Sequence, residues 1–173
     1  MNSRVNAAVP AKQVSPDALK ILDMCQTIHK LAEEIYQNLA EVHCEDREAA
    51  RMWGLFAIDK CNHSDTFKMA HRLKGGGIRR IHGSEEMVRG ILIKMKSIPG
   101  INRTAPPTVV SALRFTVKME ELLSKVHFFH IVEFLDERDA ALLTSKLQSS
   151  SSILHIMTEE YVNLTLPVDD SFE

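Results

Sequence analysis

Two four-residue segments of this chain, Lys60-Cys61-Asn62-His63 and Ser152-Ile153-Leu154-His155, each place an imidazole three residues after a polar side chain. Residues three apart share one face of a helix, so both side chains of each segment point the same way. An imidazole so placed can ligate a transition metal, exchange a proton or act as a buried hydrogen-bonding group. A second spacing accompanies the first. His29 lies seven residues before Tyr36, and Glu120 lies seven before His127, two helical turns in each case. From His29 the chain runs 34 residues to His63, and from Glu120 it runs 35 to His155. The two halves of the sequence repeat one pattern.

Helices must position these residues. Apolar side chains recur at intervals of three and four almost throughout, with no convincing run of strict alternation, which predicts an all-α protein. The first helix is expected from about Pro16 to His43, with Ser15 as N-cap and a buried stripe of Leu22, Cys25, His29, Ala32, Tyr36, Leu39 and His43. The second runs from about Asp46 to Lys74, burying Trp53, Phe56, Lys60, His63, Phe67 and Ala70 before the glycines at 75–77 stop it. A third, from about Pro106 to Phe134, carries Leu113, Val117, Glu120, Ser124, His127 and Ile131 on one stripe. The fourth, from about Glu137 to Tyr161, is weakened by the serine run Ser149–Ser152. Between the second and third lies a long connection with a short helix from Ser84 to about Lys96 and a turn at Pro99-Gly100. These elements are expected to make one domain over residues 16–162, with a flexible segment expected at 1–15 and an acidic tail at 163–173.

Composition narrows the partners. A hydrophobic content of 45% is globular, and a net charge of -2 gives no long-range pull toward nucleic acid or anionic lipid. The basic cluster from Lys74 to Arg80 reads as a solvated loop. No stretch approaches the ~20 apolar residues of a membrane span. Residues Met1 to Ser15 lack the apolar core of a signal peptide, so a cytoplasmic location is expected. Cys25, Cys44 and Cys61 are too few and too scattered for a disulfide framework, and Cys61 reads as a buried thiol. His43, His71, His82 and His130 read as ordinary core or surface histidines.

Two strings carry a family likeness: His29-Lys30-Leu31-Ala32-Glu33-Glu34-Ile35-Tyr36-Gln37-Asn38-Leu39-Ala40-Glu41, and Leu55-Phe56-Ala57-Ile58-Asp59-Lys60-Cys61-Asn62-His63. The second half echoes them from Ala112-Leu113 through Met119-Glu120-Glu121 to His127, then Ser152 to His155. Over roughly residues 16–160 the chain resembles the rubrerythrin branch of the ferritin-like superfamily. The resemblance implies a ferritin-like four-helix bundle of two antiparallel helix hairpins, joined by a long crossover that carries a short extra helix.

In that family the first string begins with a metal-binding Glu and the second ends Glu-x-x-His. Carried over, Glu120, His63 and His155 match ligands, whereas His29, Lys60 and Ser152 stand where carboxylates belong. Three of four carboxylates are gone, so the resemblance no longer implies a two-iron centre, whose adjacent cations need bridging oxygens. The chain also lacks the paired Cys-x-x-Cys knuckles of a rubredoxin domain.

Beside a haem or tetrapyrrole bundle with His127 or His130 as axial ligand, which no motif supports, two expectations remain open. One is a remodelled site holding a single Fe, Zn or Mn ion on His29, His63, Glu120 and His155, with Lys60, Tyr36, His127 and Ser152 around it, and a redox role with an unidentified electron partner. The other is a metal-free bundle serving as a ligand-binding or interaction module, in which a Lys60–Glu120 pair replaces the metal. It predicts that Lys60→Met costs little stability and Glu120→Ala costs more, by orphaning the lysine. A homodimer is expected in either case, using Leu31, Ile35, Phe128 and Phe129 as an apolar patch.

Overall fold

A computed structural model of the chain describes residues 15–73, 77–145 and 147. Helix α1 (Pro16–Val42) starts where Ser15 accepts the Ala18 amide and Pro16 occupies the first turn. Helix α2 (Arg47–Arg72) is capped by Asp46, which accepts the Ala49 amide at 3.0 Å. The two pack along their lengths as a hairpin, and every residue of the expected stripes, from Leu22 to His43 and from Trp53 to Ala70, is buried. Trp53, Tyr36, Phe56 and Phe67 fill the seam, each contributing roughly 1.5–3 kcal/mol by burial.

Helix α3 (Glu85–Ser97), capped by Ser84, lies in the connection and packs against α1. Helix α4 (Val109–Leu123) is tied to the hairpin by Trp53 Nε1, which donates to Thr116 Oγ1 at 3.0 Å, and by Tyr36, which donates to Glu120. Helix α6 (Glu137–Thr144) leans on α2. Residues 148–173 lie outside the described set. The end of the expected fourth helix, Ser152 and His155 lie there too.

The helical reading of the chain holds in its coarse form, and two details change. The expected third helix ends early. After Leu123 one 3-10 turn covers Ser124–Val126, His127 is extended (φ -63, ψ 140), and the short helix α5 (Phe128–Ile131) follows. Local bonding explains the break. Ser124 Oγ donates to the Glu121 carbonyl at 2.9 Å, competing with helix continuation, and His130 Nδ1 donates to the Ser124 carbonyl at 2.9 Å. Ser124 is accordingly exposed rather than on a buried stripe.

Strands also form where none were expected. The end of the basic cluster is strand β1 (Ile78–Ile81), antiparallel to β2 (Val132–Phe134). Ile78 faces Phe134, Arg80 faces Glu133 and Ile81 faces Val132, so Arg79 is the extra residue of a bulge. That bulge breaks the alternation by which a strand is read. Gly77 leads into β1 at φ +82, and a Cβ there would fall 2.7 Å from Asp139 Oδ2.

Of the four residues expected to form an apolar patch, Phe128 is fully buried, Leu31 and Ile35 pack partly against the core, and Phe129 is exposed. Cys61 is half-buried rather than buried. Among the described residues no helix is long and apolar enough to cross a membrane.

Candidate functional site

α2 supplies the centre of the site because most of its circumference is covered, polar residues included. Asp59, Lys60, His63, Ser64 and Thr66 are all buried on it. Lys60 sits on the seam one turn before His63. Its Nζ donates to Glu120 Oε2 at 2.8 Å and to Asp59 Oδ2 at 3.0 Å, and lies 5.9 Å from the centre of the Phe56 ring. Tyr36 completes the group by donating to Glu120 Oε1 at 2.6 Å. One ammonium thus faces two carboxylates. Burial works to lower the Lys60 pKa, but Glu120 and Asp59 outweigh it and hold the ammonium above its ordinary range. The Tyr36 hydroxyl is pushed well above its usual value by burial and by the adjacent Glu120.

Beside this network stands a ladder of imidazoles. His29 and His63 stack with centroids 4.7 Å apart and planes within 12°. His63 meets His127 edge-on at 4.5 Å, and His127 lies 5.6 Å from His130. His29 Nε2 donates to the Val126 carbonyl at 3.2 Å, satisfying the end of the 3-10 turn. Its other nitrogen, Nδ1, is buried without a partner, as are His63 Nδ1 and Asp59 Oδ1. Burial first, then the Lys60 charge and His127, push the His29 pKa down to about 3 against the opposing Val126 bond. His63 is driven below the ordinary range by burial and by His29, His127 and Lys60. His127 is lowered by burial, His130 and Lys60. Burial thus favours the neutral forms of His29, His63 and His127.

The sequence-derived residues therefore separate into two groups. His29, His63 and His127 come together, while Glu120 joins Lys60 and Tyr36. The Lys60–Glu120 contact is present. Asp59 belongs to the same centre and matches no family motif; its one sign in the sequence is its place four residues before His63, on the same helix face.

The metal ions that the rubrerythrin resemblance implies fit the described donors, His29, His63 and Glu120, poorly. A divalent ion ~2.1 Å from Glu120 Oε2 would lie at most ~5 Å from Lys60 Nζ. At an effective dielectric of about 20, the repulsion between them is on the order of 6 kcal/mol. Both Glu120 oxygens are already bonded, one to Tyr36 and one to Lys60. The lone pairs of His29 and His63 run in nearly parallel planes, so joint ligation needs one ring to turn. With Lys60 in place, no three His, Cys, Asp or Glu side chains among the described residues are arranged to hold an ion, and His155 lies outside them. No family model, curated protein or solved structure matches the chain.

Proposed function

We propose that this chain is a ferritin-like helical bundle, related to the rubrerythrins, in which a lysine ammonium has taken over the place of the metal. It acts as a metal-free ligand-binding or interaction module. One observation carries the reading: the buried Lys60 ammonium bonded to both Glu120 and Asp59. An internal cation already balances carboxylate charge at this point, so the helices hold together there without an ion. The test is metal analysis by mass spectrometry of untagged protein, before and after reconstitution with Fe, Mn and Zn. Less than a tenth of an equivalent, roughly, is the expected result; a full equivalent lost in His63→Ala would overturn the proposal.

A second reading has its own support. The unpartnered Nδ1 atoms of His29 and His63 are lone pairs that a single Fe, Zn or Mn ion could use, with Glu120 and His155 completing the set. The same analysis separates the two, because only this reading predicts an equivalent of metal in the wild-type chain.

A further inference from the structure

We infer that Lys60 excludes divalent cations from a latent ion site made by Asp59, His63 and Glu120. The inference rests on the metal-free reading above. Asp59 and His63 are four residues apart on α2, so both project from one face, as helical metal-ligand pairs do. His63 Nε2 and Asp59 Oδ2 are 3.8 Å apart. Two ligand atoms on one tetrahedral zinc ion, with bonds of ~2.1 Å, lie roughly 3.4 Å apart, so a shift of a few tenths of an ångström would let both reach one ion. Glu120 Oε2 approaches the same centre from α4, and the ammonium nitrogen bridges it to Asp59 Oδ2 at 2.8 and 3.0 Å. The lysine therefore stands where an ion would gather those two oxygens.

One unpartnered atom points the same way. Asp59 Oδ1 belongs to a side chain at least nine-tenths buried and can only accept, so the carboxylate has unused capacity for a cation beyond the lysine. The family's Glu-x-x-His spacing is replaced by Asp-x-x-x-His, starting one residue earlier and interrupted by the lysine itself.

The experiment titrates Zn2+ into the wild-type chain, Lys60→Met and Lys60→Met/Asp59→Asn by calorimetry, with Co2+ absorption reporting the ligand field and circular dichroism reporting the fold. The expected result is one equivalent of Zn2+ on Lys60→Met, at least about a hundredfold tighter than on wild type, and its loss on adding Asp59→Asn. A folded Lys60→Met with wild-type affinity overturns the inference, and so does a gain that survives Asp59→Asn. A Lys60→Met chain that stays unfolded with Zn2+ present also counts against it, because a competent ion site would restore the missing charge. An equivalent of Zn2+ on the wild type, lost in His63→Ala, instead overturns the metal-free reading.

Discussion

One helical turn of α2 separates two polar regions with opposite bonding. Around Lys60 almost every charge has a partner: Glu120 takes Tyr36 and Lys60, and Lys60 takes Asp59 as well. Around His63 three rings touch and two nitrogens have no partner. The centre of each region, Lys60 with Asp59 and His29 with His63, is buried, so solvent does not explain the difference. The ion-pair network holds charges that must stay paired, whereas the imidazoles escape the cost of burial by staying neutral. The first region resists change of any member; the second tolerates apolar replacement and fails in acid.

Acid should separate the two most strongly. The unfolded chain takes up a proton at His29 near pH 6.5, but the folded chain does so only near pH 3. Stability from this residue is complete above pH 6.5 and is lost as pH falls toward 3, a loss on the order of 4 kcal/mol. Urea unfolding at pH 7, 5 and 4 should show the decline, and His29→Leu should flatten it. An unchanged slope in the variant would mean that other groups govern acid unfolding.

Lys60→Met should come next, at about 3–5 kcal/mol, because it leaves Asp59 buried without a cation. Glu120→Ala should cost less, about 1–2 kcal/mol, since Lys60 keeps Asp59 and Glu120 is partly solvated. This order reverses the one expected for a pair that has no third member. Thermal unfolding of both variants decides it, and a cheaper Lys60→Met would mean that Asp59 finds other compensation.

Two smaller effects sharpen the contrast. Tyr36→Phe removes one bond to Glu120 and should cost about 1–1.5 kcal/mol, with little change in acid response. Thr116→Val removes the acceptor of the Trp53 indole and should cost roughly 0.5–1.5 kcal/mol while leaving both polar regions intact. Chemical denaturation measures both.

How much of this could be read in the sequence follows from the length of each signal. α1 and α2 are 27 and 26 residues long, so their stripes and caps were legible from Ser15 and Asp46 onward. β1 and β2 have four and three residues, a bulge falls between them, and the apolar run from Phe128 to Phe134 has no period that separates strand from helix. The break at Ser124 depends on side-chain bonds that spacing does not reveal. Within the site, a lysine on a buried stripe needs an anion, and that made the Lys60–Glu120 pair readable. Asp59 was not, because it lies beside the stripe, and its burial comes from α2 being covered on more than one side.

The ladder between β1 and β2 has a kinetic consequence. It joins segments roughly fifty residues apart, and α3 and α4 lie inside the loop it closes. The α1–α2 hairpin needs only a short turn and can form by local contacts, whereas closing the larger loop costs more chain entropy and has only a short ladder to offset it. The hairpin that carries Lys60 and His63 should therefore assemble early, and Glu120 should reach them late. During refolding the lysine would have Asp59 alone as its anion until α4 docks.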